Sequence, residues 1–271
     1  MSTDRKEREL LDFAVSIAEA SGRIARKYFR SASPVANKSA ADFDPVTEAD
    51  RNIEAFLLKK IHASYPGHGV IGEEHGSVDG NSYTWILDPI DGTRGFISGS
   101  PMWGTLVGLM KDSVPLIGVM HQPIVRETFF ADKKGTWLKR GKSIASVSTR
   151  SVSALEQAVL YCTHPSMFKQ KADRLAFAKV ESHCQYSRFG ADCYGYCLLA
   201  AGFVDLVIEA DLQAYDILPL IPLIESAGGI ITDWEGNFPD TGGKVIAAAN
   251  RRLHRSAIEL LNSQVLNGGQ I

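Results

Sequence analysis

The hydrophobic pattern changes period along the chain, and this limits the fold more than any other feature of the sequence. Leu10, Leu11, Ala14, Ile17, Ala18, Ser21, Ile24, Ala25, Tyr28 and Phe29 recur at helical spacing, which predicts a long amphipathic opening helix. A polar loop is expected over Ser31 to Asp44. Thr47 then starts a second helix with Ile53, Phe56, Leu57 and Ile61 on one face, broken by the segment Ser64 to Gly69. From Val70 the period becomes two. Strands are expected at Val70–Glu73, Tyr83–Asp88, Thr105–Met110, Val114–Gln122, Glu127–Ala131 and Thr136–Leu138, joined by short turns as an antiparallel meander. Beyond about Ile144 strands and helices alternate. Strands are expected near Ala158–Cys162, Phe203–Glu209, Gly229–Asp233 and Val245–Ala249. Helices are expected around Ser166–Val180, Asp192–Ala201, from Asp216 and at Arg252–Asn262. The fold class is mixed, α/β with α+β character. It divides near residue 145 into an N-terminal α+β half, 1–144, and a C-terminal α/β half, 145–271.

Composition narrows the function. Of 271 residues, 45% are hydrophobic and 22% charged, with 29 Lys and Arg against 31 Asp and Glu, a net charge of −2. This is globular-protein composition, without the basic footprint of a nucleic-acid binder. No apolar run approaches the ~20 residues that span a bilayer. The charged start, MSTDRKEREL, lacks the apolar stretch of a signal peptide, so a cytoplasmic location is expected. Cys162, Cys184, Cys193 and Cys197 include no C-x-x-C pair and read as core thiols.

Acidic residues gather at the ends of apolar strands. Glu73 and Glu74 end VIGEE, Asp88 and Asp91 end WILDPID, and Asp216 stands at a helix start. Singly, each has a plain structural explanation. Asp-Pro and Asp-Gly are turn dipeptides, Glu73 is within reach of a surface pairing with Arg94, Asp216 suits an N-cap, and Thr47-Glu48-Ala49-Asp50 has capping-box spacing. If the strand ends converge, the explanation changes. Unit charges about 4 Å apart repel by roughly 4 kcal/mol even at an effective dielectric of 20. Such a cluster holds protons or binds cations, and an all-oxygen donor set favours Mg²⁺ over Zn²⁺. Gly92-Thr93 following Asp91 opens a helical turn whose N–H groups suit an anion. Metal-binding acids beside an anion cradle are the parts of phosphate-ester hydrolysis.

The segments DPVTEAD (44–50), IGEE (71–74), WILDPIDGT (85–93) and YD…ESAGG (215–229) carry a resemblance. In them the chain resembles the inositol-monophosphatase-like, Mg²⁺-dependent, lithium-sensitive phosphatases over nearly its whole length. The resemblance implies a layered αβαβα sugar-phosphatase-like fold with an antiparallel meander sheet and a second mixed sheet. It implies two or three Mg²⁺ ions per site, held by Glu73, Asp88, Asp91, Asp216 and the carbonyl of Ile90, with Asp88 bridging. Asp50 and Thr93 would orient and deprotonate the attacking water, Glu73 would help to activate it through its metal, and Gly92 and Thr93 amides would hold the phosphate. A further metal-associated lysine of relatives falls near Lys38, but the spacing to Asp50 is one residue longer here, so Lys38 is assigned no role. A homodimer is also implied, with a small-molecule phosphate ester as partner and neither nucleic acid nor membrane.

Departures from the inositol branch bear on the substrate. Asp91-Gly92-Thr93-Arg94-Gly95-Phe96 replaces DGTTNF, Gly190–Tyr196 (GADCYGY) replaces a Gly-Ser-Ala pattern, and Tyr215-Asp216 replaces Trp-Asp. With PMWGTL (101–106), these look like the histidinol-phosphate phosphatase branch. Its substrate carries an ammonium and an imidazole, which Asp192 and Glu209 are placed to meet, while Arg94 stands ready for the phosphate or a protein carboxylate. Inositol monophosphatase and, behind it, a bisphosphate nucleotidase are the enzymatic alternatives. A transcription-associated binding protein of the same fold is the non-enzymatic one. The near-Walker run from Gly135 to Ser143 has five residues between its glycines and is expected to be a hairpin turn. Tyr194 and Tyr196 are expected in the core.

Overall fold

The computed structural model describes residues 3–31, 35–37 and 45–263. The opening amphipathic pattern forms α1 (Thr3–Tyr28). Inside the segment expected as a loop, β1 (Val35–Asn37) pairs antiparallel with β2 (Pro45–Thr47). Lys38 and the rest of that segment to residue 44 lie outside the described residues. Helix α2 (Glu48–Ser64) follows, its first turn closed by the expected capping box of Thr47 and Asp50.

The period-two region builds an eight-stranded sheet. Its strands are β3 (Gly69–Gly72), β4 (Gly76–Val78), β5 (Tyr83–Asp91), β6 (Gly104–Lys111), β7 (Val114–Gln122), β8 (Glu127–Asp132), β9 (Gly135–Arg140) and β10 (Ser143–Val147), in the order β10-β9-β8-β7-β6-β5-β3-β4. From β5 to β10 it is the expected meander, and the near-Walker run is the β9–β10 hairpin. One pairing departs from the antiparallel expectation: β3 runs parallel to β5. That pairing puts the C-terminal ends of both strands, with their acids, at one edge of the sheet. Short α3 (Thr93–Ser98) follows β5.

The rest of the chain makes a five-stranded mixed sheet from β11 (Val159–Cys162), β12 (Tyr186–Phe189), β13 (Leu206–Leu212), β14 (Ile230–Asp233) and β15 (Gly243–Ala248). Its helices are α4 (Lys171–Glu181), α5 (Cys193–Ala200), α6 (Ala214–Ile217), α7 (Leu220–Glu225) and α8 (Arg251–Asn262). Three cores order the layers. The first packs α1 and α2 on one face of the large sheet, through Leu11, Ala14, Leu57, Trp85 and Leu87. The second packs α5 and α7 between the sheets, through Ile86, Leu106, Tyr196, Ile221 and Val245. The third covers the far face of the small sheet with α4 and α8, through Leu160, Phe177, Ile246 and Leu253. The architecture is αβαβα, as the resemblance implied.

One close approach in the middle layer positions the site. Gly108 of β6 and Gly118 of β7 are cross-strand partners, and both face Pro219, which follows α6. A Cβ on Gly118 would be driven into the Pro219 carbonyl oxygen. This glycine notch lets the α6–α7 turn, and Asp216 with it, settle against the sheet. Gly118→Ala should therefore cost about 1–3 kcal/mol, the usual penalty of overpacking. Thermal denaturation should show a lower Tm, and Mg²⁺ should stabilise the variant less than the parent. An unchanged Tm and an unchanged Mg²⁺ response would show that the notch is unimportant.

Candidate active site

Asp88 and Asp91 are three residues apart, so in a regular strand they would face opposite sides of the sheet. A bulge prevents this. Strand β5 pairs with β6 through Asp88↔Leu106 and next through Asp91↔Gly104, three steps on one strand against two on the other. The extra residue returns Asp91 to the side of Asp88. Pro89 sits within the bulge, where a missing N–H breaks no ladder bond. Its carbonyl accepts from the Thr105 hydroxyl at 2.8 Å, and Ile90 is buried in the helix-side core. Asp216 comes from α6, where its carboxylate accepts from the Gln213 N–H at 2.7 Å as the returning half of a capping box. One oxygen each of Asp88, Asp91 and Asp216 then lie within 4.8 Å of one another.

Burial makes this arrangement electrostatically costly. It pushes the Asp88 carboxyl well above the ordinary range, and the charges of Glu73, Asp91 and Asp216 push it further. Asp91 rises to about 8 through burial and the charge of Asp216, against the opposing N–H of Cys193 at 2.6 Å. Asp216 rises to about 7, chiefly through burial. Glu73 lies outside the triad but shares a hydrogen bond with Asp88. Its turn is anchored by Glu54 of α2, a fully buried carboxylate that accepts from the N–H groups of Glu74 at 2.9 Å and His75 at 2.8 Å. The Oδ1 atom of Asp88 is buried with no hydrogen-bond partner. An orphaned anionic oxygen among converging carboxylates fits a hard divalent cation, which satisfies the oxygen and removes the repulsion together.

Gly92 and Thr93 directly follow Asp91 in the chain, and Asp192 and Glu209 share a cavity with Asp91 and Asp216. Asp50 is buried and raised to about 6, chiefly by burial, while the Thr47 N–H and hydroxyl both donate to its Oδ2, at 2.8 and 2.5 Å. Its capping role is thus real, and it also stands near Glu74, whose charge raises its pKa. The Thr93 hydroxyl donates to the Ile90 carbonyl at 3.1 Å. Gly92 has φ +89°, and a Cβ there would come within 3.0 Å of the Asp192 side chain and the Met102 carbonyl, so only glycine allows the turn to pass beneath Asp192.

A cavity of about 70 Å³ opens beside Asp91 and Asp216, lined also by Thr163, Asp192, Tyr196 and Glu209. Asp192 does not cap α5: its side chain makes no capping bond, its φ is +47°, and Asp91 takes the first N–H of the helix instead. Such a backbone costs of order 1–3 kcal/mol and persists only where neighbours hold it. Arg94 is exposed, and its charge acts on Asp192. Glu209 is buried and engaged, accepting from the Thr163 N–H at 2.8 Å, the Thr163 hydroxyl at 2.6 Å and the Tyr196 hydroxyl at 2.9 Å. Tyr196 is therefore not simply a core aromatic, since it lines the cavity and holds Glu209. Thr163 and Glu54 were missed in the sequence. Thr163 follows an unremarkable strand, whereas Glu54, one turn after Asp50 on a helix, sits among apolar neighbours where an unpaired charge is out of place.

The raised carboxyls set the pH dependence. In the unfolded chain they ionise near 3.8, whereas in the folded chain Asp50, Asp216 and Asp91 hold protons to about 6, 7 and 8. The folded state binds more protons over that interval, so metal-free stability should fall as pH rises from about 4 to about 8. Mg²⁺ competes with those protons, so its stabilising shift in Tm should grow over the same interval. A Mg²⁺ shift that shrinks as pH rises would remove the cluster as the binding site.

The profile of the Inositol monophosphatase family matches residues 6–266. The chain is 40% identical over 258 residues to the chloroplastic bifunctional phosphatase IMPL2 of Arabidopsis thaliana, covering 91% of this chain and 73% of that one. It is 32% identical over 263 residues to a histidinol-phosphatase of Mycobacterium tuberculosis, covering 93% and 98%. An inositol monophosphatase structure from Zymomonas mobilis superposes with a TM-score of 0.83 at 34% identity, covering 96% of this chain and 99% of that one. With that likeness and the buried acid cluster at the strand ends, the chain belongs to the inositol monophosphatase family, a family of metal-dependent phosphatases.

Proposed function

We propose that this phosphatase is a Mg²⁺-dependent phosphomonoesterase whose substrate is L-histidinol phosphate. The observation that carries the reading is the acidic wall beside the metal cluster. Asp192 and Glu209 line the cavity next to Asp91 and Asp216, and burial holds both carboxyls above their ordinary range. A cationic leaving alcohol relieves that strain, since an ammonium or imidazolium favours ionised carboxylates. The likeness to a histidinol-phosphatase supports the same reading.

Glu73, Asp88, Asp91, Asp216 and the Ile90 carbonyl would hold the ions. When bound, Mg²⁺ supplies Lewis-acid polarisation of the phosphoryl oxygens and a more acidic water. The protein's own groups do the rest. The N–H groups of Gly92 and Thr93, at the open start of α3, hold the phosphate. Thr93 fixes the Ile90 carbonyl through its hydroxyl proton and keeps its lone pairs for the water. Asp50, its Oδ2 occupied by Thr47, presents Oδ1 to accept the water's proton. Asp192 faces the substrate's cationic end, and Arg94 balances Asp192 from the solvent side. Glu209 with the Thr163 and Tyr196 hydroxyls also suits a polyol. That network is what favours the second reading, an inositol monophosphatase.

Two experiments follow. Asp88→Asn and Asp91→Asn should each lower kcat at least about a hundredfold. Their metal-free Tm should equal or exceed that of the parent, because a repelling charge is gone. Near-normal turnover in either variant would end the metal assignment. Phosphate release should rank histidinol phosphate above inositol 1-phosphate and above an adenosine bisphosphate in kcat/KM. Asp192→Asn should depress the first selectively. A reversed ranking would transfer the assignment to the inositol reading.

A further inference from the structure

A second cavity, of about 330 Å³, lies between the C-terminal half of α1 and strands β7 to β9. It shares no lining residue with the acidic cavity. Arg23 and Arg26 of α1, Arg126 in the β7–β8 turn and Lys139 of β9 line it, with Glu19 as the one carboxylate. Glu19 is already engaged, by the Lys139 ammonium at 2.7 Å and by the Thr128 hydroxyl at 3.1 Å. Among the described residues, the guanidiniums of Arg23, Arg26 and Arg126 have no carboxylate partner. Three unneutralised guanidiniums around one concavity repel one another, and an anion seated among them removes the repulsion.

An unsatisfied buried group borders the cavity. His121, only 6% exposed, lines it, and its Nδ1 lies 2.9 Å from the Thr128 hydroxyl oxygen. Thr128 gives its single proton to Glu19, so it accepts from an Nδ1–H, and the neutral ring leaves Nε2 as an acceptor. Nε2 is buried with no partner. Buried polar atoms without partners are rare. Nε2 packs against Gly22 of α1 and does not open into the cavity, so recognition of a ligand there rests on the fixed positive charge of the arginines. The cavity's volume is in the range of small-molecule sites and larger than orthophosphate needs. Arginine forks, moreover, match phosphate oxygens in pairs.

We propose that this cavity binds a small phosphorylated metabolite carrying two or more negative charges, held by Arg23, Arg26 and Arg126 and separate from the catalytic centre. Methylenebisphosphonate, whose P–C–P linkage a phosphomonoesterase does not cleave, is the probe. Calorimetric titration into Mg²⁺-loaded protein should show saturable binding that survives Asp91→Asn. The double variant Arg23→Ala/Arg126→Ala should weaken that binding at least about tenfold while leaving phosphate-ester turnover unchanged. Glu19→Gln should tighten it by removing the opposing charge. The proposal is overturned by absence of saturable binding in the Asp91→Asn protein, or by equal affinity with and without the two arginines. Failure of the histidinol-phosphate assignment would leave it untouched, since no substrate is read in this experiment.

Discussion

Three carboxylates forced into one buried space are the constraint around which this molecule is arranged. Asp88, Asp91 and Asp216 each have an oxygen within 4.8 Å of the others, and burial with mutual repulsion holds all three carboxyls above their ordinary range. Such an arrangement is unstable by itself and exists only because independent elements hold it. The bulge in β5 aims two of the acids, the glycine notch seats the third, and Glu54 anchors the turn carrying Glu73. Each support draws on one of the apolar cores. The energy of hydrophobic packing is in effect used to hold a set of charges open for cations.

The layers explain why the site stands where it does. Strands β3 and β5 run parallel, so their carboxyl ends meet, and the middle helical layer delivers α5 and α6 to the same edge. Asp91 ties the large sheet directly to the helical layer between the sheets, because it accepts from the first N–H of α5. The cavity wall and the acid cluster are therefore one connected unit, not two features that happen to adjoin. The arginine-lined cavity lies under α1, on the helix-covered side of the large sheet, and draws on no residue of that unit.

Much of this was legible in the sequence because period and composition encode local structure. The helix of residues 10–29, the meander and the terminal amphipathic helix all follow from apolar spacing. The acids at strand ends were visible too, and so was the capping box that joins Thr47 to Asp50. The parallel β3–β5 pairing was not, since parallel and antiparallel strands show the same alternation. Asp192 occupies the position of an N-cap before a helix, yet a neighbouring strand's carboxylate takes that N–H. Tyr196 looked like core packing because an aromatic among apolar residues gives no sign of where its hydroxyl points.

The order of residues thus determined which segments are helices and strands, which acids are available, and that a glycine turn opening a short helix follows two of them. Those features depend on contacts within a few residues. Tertiary structure alone decided that Asp216 reaches Asp88 and Asp91, that Thr163 and Tyr196 hold Glu209, and that basic side chains from α1, β9 and the β7–β8 turn enclose one hollow. These are contacts between residues far apart in the chain. They are set by how sheets twist, pair and pack, and no local pattern carries that information.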